Sequence, residues 1–259
     1  MSFLAYDRQG HGPRVVLIHS LALDAHVWSR VVPLLDADIL TYDCRGHGRS
    51  GNGGTTDFTT KLFAGDLAGL LDEVGWESAT IVGCSMGGCV AQDFAINYPY
   101  RTDGIGLVDT TAWYGPDAPA SWAERARTAR DKGIASLVGF QQERWFSAGF
   151  LAREGELLER LTKTFVANDI DGYAATCHML GATDLREQLT GVRKPATVVV
   201  GEHDPATPVA MAEDLAKRLD DAPLTVIEGA QHLSPLEAPE QVAAAIADLL
   251  SRVDGVTGG

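Results

Sequence analysis

The chain has 259 residues, an apolar content of 45% and a formal net charge of −14 at pH 7. This charge argues against nucleic acid or an anionic membrane surface as a partner. No apolar run approaches the roughly 20 residues that span a bilayer, and the first residues lack the basic start and apolar core of a signal peptide. The four cysteines show no zinc-binding spacing, so we expect a cytoplasmic protein with reduced thiols.

Strand patterns and helical patterns alternate along most of the chain, which is typical of a mostly parallel sheet flanked by helices. The predicted strands are 2–7, 14–18, 38–42, 79–83, 104–108, 196–200 and 224–228. The predicted helices between them are 26–35, 60–74, 86–97, 208–219 and 239–252. The glycine-rich segment 253–259 has no core to join, so we expect it to be a disordered tail.

The alternation stops between Trp113 and about Ala182. Only helical spacing is found there, and it predicts helices over 119–131, 134–146, 150–166 and 169–180. We therefore expect a core domain formed by 1–112 and 183–252. The inserted segment 113–182 is expected to form a helical cap that covers the site and shapes its pocket.

The most informative motif is the run Gly83-Cys84-Ser85-Met86-Gly87-Gly88, between a predicted strand and a predicted helix. A serine flanked by glycines at such a turn is held in a strained conformation that exposes its hydroxyl in a cleft. Side chains at positions 83 or 87 would crowd the neighbouring strand and helix. The motif predicts that Ser85 is a nucleophile.

Two later residues are suitable partners for this serine. Asp204 follows the predicted strand 196–200, and His232 follows the predicted strand 224–228. The order serine, aspartate, histidine is one of the known orders of a catalytic triad, and both partners follow the carboxyl ends of strands. Asp109, at the end of the strand 104–108, is the alternative acid.

A serine hydroxyl is a poor nucleophile until an imidazole takes its proton. His232 would do this and would then return the proton to the leaving group, while Asp204 fixes the imidazole tautomer. The negative oxygen of the tetrahedral intermediate requires backbone donors. The expected donors are the N–H groups of Met86 and of Leu21, in the loop after the strand 14–18.

With these residues placed, the chain resembles the α/β-hydrolase superfamily over nearly its whole length, and its segment Asp43–Ser50 matches the D-x-R-G-H-G-x-S turn common there. The second half resembles a narrower group, the 3-oxoadipate enol-lactonases. The segments that carry this resemblance are Arg144-Trp145-Phe146, Asp171–Ala175, Asp184–Leu189, Gly201–Pro208 and Ala230–Ser234.

The resemblance implies an α/β-hydrolase fold with an inserted helical cap, and a small-molecule substrate that is an enol-lactone with a carboxymethyl arm. It implies no metal and no organic cofactor. Arg144 would bind the substrate carboxylate, although it could instead pair with a nearby glutamate such as Glu143 or face solvent. Trp145 would form an apolar wall or simply pack in the cap.

Ser20 and Trp113 complete the predicted substrate-binding residues. The chain departs from the family at His19 and Ala22, where the relatives often carry asparagine and glycine. A second departure is the pair Trp113-Tyr114 at the cap entrance, which is bulkier than expected. Both departures touch the pocket, so we expect the reaction type to be kept and the substrate range to be open to change. His19 and His47 are interpreted as residues that brace loops.

Two other functions stay open at this point. One is a broader carboxylesterase, or a hydrolase that cleaves a C–C bond of an aromatic ring-fission product, with the same three residues. The other is a ligand receptor built on a hydrolase scaffold. The sequence predicts no oligomeric state.

Overall fold

The structure is a computed structural model that describes residues 3–257. Its strands are β1 (Tyr6–Gln9), β2 (Arg14–Ile18), β3 (Asp38–Tyr42), β4 (Ala79–Cys84), β5 (Thr102–Val108), β6 (Ala196–Gly201) and β7 (Leu224–Ile227). They form one sheet in the order β1-β3-β2-β4-β5-β6-β7. Only β1 runs antiparallel to its neighbour, so the sheet is mostly parallel, as predicted.

The helices before β6 are α1 (Thr60–Glu73), α2 (Met86–Asn97), α3 (Ala118–Lys132), α4 (Val138–Trp145), α5 (Ala148–Leu151), α6 (Gly155–Val166), α7 (Ile170–Ala182) and α8 (Arg186–Leu189). Those after β6 are α9 (Val209–Arg218), α10 (Ser234–Glu237) and α11 (Pro239–Thr257). Among residues 3–257, no helix is both long enough and apolar enough to cross a membrane.

The strands in the middle of the sheet are fully buried, and the turns that follow them form the site. Every residue of β4 and every residue of β6 is buried. Near-continuous runs of Val and Ile suit parallel strands that are covered by helices on both faces. Because β4 to β7 are parallel and adjacent, the turns that follow them lie along one edge of the sheet, where ligands bind in such folds.

Helices α3 to α7 lie between β5 and β6 in sequence, and all of them fall within the predicted cap segment 113–182. Aromatic rings join several of these helices. Trp145 of α4 contacts Phe165 of α6 edge to face, with 5.5 Å between ring centroids, and Phe165 contacts Tyr173 of α7 at 5.9 Å.

The predicted helix 26–35 is wrong. The chain forms two short 3₁₀ turns there, Ala25–Trp28 and Val32–Leu34. The interruption has a local cause, because Pro33 has no N–H to donate and its ring would clash with the preceding helical turn.

The predictions at the two ends of the chain also need correction. The first described strand is 6–9 rather than 2–7, and residues 1–2 lie outside the described residues. The expected tail is helical as far as Thr257, since α11 continues through the segment and buries Val253 beside Gly104. Residues 258–259 lie outside the described residues.

Candidate active site

Ser85 occupies a strained turn between β4 and α2. Its backbone has φ +55° and ψ −116°, a region that residues with a side chain rarely adopt. Two hydrogen bonds hold this turn to the end of β5 and the residues that follow it. The Ser85 N–H donates to the carbonyl of Val108 at 2.9 Å, and the Thr110 hydroxyl donates to the Ser85 carbonyl at 2.6 Å.

The glycines around Ser85 are required by close backbone approach. A Cβ at Gly87 would lie 2.7 Å from the carbonyl oxygen of His19 and closer still to that of Ile18. A Cβ at Gly83 would overlap the backbone of Gly87 itself. The sequence interpretation of these two positions is therefore confirmed, and the turn can bring α2 directly against β2.

The imidazole of His232 lies between the side chains of Ser85 and Asp204. Nε2 is 2.8 Å from the Ser85 Oγ, and Nδ1 is 2.8 Å from the Asp204 Oδ2. Because a carboxylate can only accept, Nδ1 carries the proton in this arrangement, and Nε2 accepts from the serine hydroxyl. All three side chains are buried.

Asp204 is held by the turn that follows β6. Its Oδ1 accepts from the N–H groups of Ala206 at 2.7 Å and Thr207 at 3.0 Å. Its Oδ2 accepts from the Thr207 hydroxyl at 2.7 Å as well as from His232. These donors fix the carboxylate in position and stabilise its charged form.

Asp109, the alternative acid, has other partners. Its Oδ1 accepts from the Gly201 N–H at 3.0 Å, and its Oδ2 accepts from the N–H of Ser234 at 2.9 Å and from the Ser234 hydroxyl at 2.6 Å. This carboxyl group therefore ties the end of β6 to the start of α10, and it is the Asp204 carboxylate that contacts His232.

Burial and neighbouring charges shift the pKa values of His232, Asp204 and Asp109. Burial alone would lower the pKa of His232, but the carboxylate of Asp204 raises it above the ordinary 6.5. Burial would raise the pKa of Asp204, but the charge and hydrogen bonds of His232 and Thr207 lower it to about 2. Burial, and then the negative charge of Asp204, raise the pKa of Asp109 to about 7.

The loop after β2 forms another wall of the site. Ser20 and Leu21 line the same cavity as Ser85. Ala22, next in the chain, has φ +58°, a left-handed conformation that favours glycine. His19 braces this loop, because its Nε2 accepts from the Cys44 N–H at 2.8 Å and its Nδ1 then donates to the Ser20 carbonyl at 2.7 Å.

The nearby His47 is also a loop residue. Its Nδ1 lies 2.8 Å from the carbonyl oxygen of Arg45, inside the turn predicted to order the wall beside the site. Burial, and then the neighbouring His19, lower the pKa of His47 to about 3, so its ring is neutral near pH 7. Within residues 3–257, no cluster of three His, Cys, Asp or Glu side chains is placed to hold a metal ion.

A cavity of about 510 Å³ opens beside Ser85 and His232. Arg144 and Trp145, both predicted to bind substrate, line it. Trp113 does not line this cavity, contrary to our expectation; its ring packs instead against the guanidinium of Arg186, 3.6 Å away. The cause is the short bridge between Trp113 and Asp184, which turns this residue toward the exit of the cap segment.

Several cavity residues were missed by the sequence analysis. The most important is Arg125 of α3, which lines the cavity together with Tyr114, Trp122 and Phe140. A signal was available in the sequence. The buried or half-buried positions Ala118, Trp122 and Ala129 mark one face of α3, and Arg125 interrupts that apolar face with a charge.

The comparisons with known proteins agree with this geometry. A model of the alpha/beta hydrolase family matches residues 15–245. The chain belongs to this family. The predicted α/β-hydrolase fold is confirmed, and the protein is similar to 3-oxoadipate enol-lactonase 2 of Acinetobacter baylyi, with 30% identity over 94% of this chain and 91% of the relative.

Two solved structures are similar over almost the whole hydrolase chain. The enol-lactonase from Burkholderia xenovorans superposes with a TM-score of 0.91 at 32% identity, over 96% of each chain. A thermophilic esterase from Thermogutta terrifontis, solved with malate bound, has a TM-score of 0.89 at 30% identity, over 96% of this chain and 93% of the esterase. The resemblance to enol-lactonases is therefore confirmed.

Proposed function

We propose that the protein is a serine hydrolase of carboxylic esters or lactones, and that its substrate is 3-oxoadipate enol-lactone. One observation carries the proposal. The hydroxyl of Ser85, the imidazole of His232 and the carboxylate of Asp204 form a continuous hydrogen-bonded chain that opens into a cavity of small-molecule size.

The reaction follows from these contacts. As Ser85 Oγ attacks the ring carbonyl of the lactone, His232 Nε2 takes the serine proton. The imidazolium that forms is stabilised by Asp204, and it gives its proton to the leaving enolate, which collapses to a ketone. Water activated by the same imidazole then releases 3-oxoadipate from the acyl-enzyme.

Two backbone N–H groups would stabilise the negative oxygen of the tetrahedral intermediate. Met86 is the first residue of α2, so its N–H has no partner within the helix. Leu21 belongs to the loop on the cavity wall. Preorganised donors of this kind are worth about 3–4 kcal/mol each in the transition state.

The choice of an enol-lactone rests on the relatives and on a cation in the cavity. Arg144 is half-buried, and its Nη2 donates to the carbonyl of Pro205 at 3.2 Å. Among the described residues, Arg144 forms no ion pair with Glu143 or any other acid. Its remaining donors are therefore available for the carboxylate of a carboxymethyl arm.

A broader carboxylesterase is the second candidate. The similarity to the Thermogutta terrifontis esterase supports it, because the two chains align over nearly their full lengths. The cavity volume of about 510 Å³ would also admit esters larger than the lactone. The cytoplasmic location remains part of the proposal.

The test is hydrolysis of 3-oxoadipate enol-lactone, generated in situ, by the wild type and by Ser85→Ala. We expect turnover by the wild type, a loss of about 10⁶-fold in kcat for Ser85→Ala, and no change for Ser251→Ala, an exposed serine of α11. Hydrolysis of p-nitrophenyl acetate without hydrolysis of the lactone would favour the broader esterase. Lactone hydrolysis that persists in Ser85→Ala would contradict the proposal.

A further inference from the structure

Two arginines from different helices face the same cavity as the nucleophile. Arg125 lies on α3 and Arg144 on α4, and both line the cavity beside Ser85 and His232. Neither forms an ion pair with a carboxylate within residues 3–257. Other arginines of the same segment do, as the pairs Arg127–Glu124, Arg130–Asp171 and Arg160–Asp24 show.

The two guanidinium groups are held by neutral partners. Arg125 Nε donates to the hydroxyl of Tyr173 at 2.7 Å, and the guanidinium lies 4.9 Å from the ring centroid of Trp122. Arg125 and Arg144 also share an aromatic neighbour. Their guanidinium carbons lie 5.7 Å and 4.9 Å from the ring centroid of Phe140.

Two positive charges beside one ring, both half-buried, repel each other. Burial, and then the like charge of Arg125, lower the pKa of Arg144 below its usual range. The protein as a whole is acidic, with a net charge of −14, so unpaired cations at this position are not part of a general positive surface. A bound anion would remove the repulsion and would use the guanidinium donors that stay free.

We propose that Arg125 and Arg144 together bind one carboxylate of the substrate, and that Arg125 is a specificity-determining residue of this hydrolase. The proposal deepens the proposed function and rests on it. Ser85 and His232 receive the ester or lactone carbonyl at one wall of the cavity, and the arginines receive the carboxylate at the wall formed by α3 and α4. The substrate class is a monoester or lactone of a dicarboxylic acid.

The test compares an anionic ester with a neutral ester of equal acyl length, p-nitrophenyl hydrogen glutarate and p-nitrophenyl pentanoate. We expect the wild type to prefer the glutarate ester. Arg125→Met and Arg144→Met should each lower that preference, measured as the ratio of kcat/KM values, by about tenfold to a hundredfold. The loss should lie mainly in KM, because the carboxylate is bound equally in the ground and transition states.

A double variant tests whether one carboxylate contacts both arginines. If it does, the loss in Arg125→Met/Arg144→Met should be smaller than the product of the two single losses, since either change disrupts the same site. Losses that multiply would mean that the arginines bind separate groups, which would overturn the shared site. Arg125→Lys keeps the charge and should retain part of the preference if Arg125→Met is too unstable to assay.

Controls separate this proposal from the hydrolase proposal. Arg130→Met removes an exposed, ion-paired arginine of the same helix and should leave both kcat/KM values unchanged. An unchanged ester preference in Arg125→Met would overturn the role of Arg125. Calorimetric titration of Ser85→Ala with glutarate measures the anion site without turnover. Weaker glutarate binding after Arg125→Met is added would support the site even if neither ester were hydrolysed, and equal binding would refute it.

Discussion

The Asp204 carboxylate contacts Nδ1 of His232 at 2.8 Å, although Asp109 is also a buried acid at the same edge of the sheet. The difference between the two acids lies in their partners. Asp204 accepts hydrogen bonds from the imidazole and from two backbone N–H groups. Asp109 accepts hydrogen bonds from Gly201 and Ser234 instead. We therefore expect separate roles for the two acids: Asp204 orients the base, and Asp109 holds β6 and α10 together.

Exchanging each acid for its amide should separate these roles. Asp204→Asn should lower kcat by about 10⁴-fold, because the amide favours the wrong imidazole tautomer. Asp109→Asn should cost about 1–3 kcal/mol in the free energy of unfolding, because an NH₂ group would face the Ser234 N–H. Its effect on kcat should be far smaller. Kinetics and denaturant unfolding of both variants measure this, and equal losses of kcat would contradict the assignment of the triad acid to Asp204.

The pH dependence of the reaction should show the raised pKa of His232. The general base must be neutral, so kcat/KM should fall as the pH decreases through that pKa, and the midpoint should lie above 6.5. Asp204, with its pKa lowered to about 2, stays ionised throughout this range. The measurement is a kcat/KM profile with p-nitrophenyl acetate, which carries no charge itself. A profile that stays flat down to pH 5 would argue against a histidine base.

Ala22 should tolerate glycine better than the alanines of the helices do. Its φ of +58° costs a residue with a Cβ about 1–2 kcal/mol. Glycine would remove this strain, although its greater freedom in the unfolded chain offsets about 0.4–1 kcal/mol. We expect Ala22→Gly to raise the free energy of unfolding by up to about 1.6 kcal/mol, the difference of these two terms. Ala247→Gly, at an exposed position inside α11, should lower it by about 1 kcal/mol.

Substitutions of Gly87 and Gly69 form a matched pair that tests the turn at Ser85. Gly87→Ala would press a Cβ into the Ile18 carbonyl, so we expect loss of folded protein or a markedly lower melting temperature. Gly69 is exposed on α1 with no atom within 4 Å of an added Cβ, so Gly69→Ala should stabilise the protein by up to about 1 kcal/mol. Thermal unfolding compares the two. A Gly87→Ala protein as stable as wild type would mean that α2 does not approach β2 this closely.

Local patterns were sufficient where one element determines the structure. The strands 14–18 and 38–42 and the helix 86–97 have the predicted bounds because their apolar runs and flanking glycines or prolines act locally. The errors have tertiary causes. The strand β1 was displaced in the prediction because all its side chains are exposed, and the end of α11 was missed because Val253 is buried only by packing beside Gly104.

The site residues show the same difference between what local patterns predict and what tertiary packing decides. Ser85, Asp204 and His232 each follow a predicted strand, and parallel strands bring such residues to one edge of the sheet whatever the details of the loops. The wall formed by α3 and α4 depends on how those helices pack, which no local pattern specifies. The charge of Arg125 on the apolar face of α3 is visible in the sequence, but the cavity that this face lines is not, and for the same reason Trp113 was wrongly placed in the cavity.

The proposed mechanism depends above all on Ser85 acting as a nucleophile that His232 activates. The most direct measurement is labelling with a fluorophosphonate, followed by mass spectrometry of the peptides. We expect one adduct, on the peptide that contains Ser85, and much slower labelling of His232→Ala. Labelling of a different residue, or labelling of His232→Ala at the wild-type rate, would contradict it.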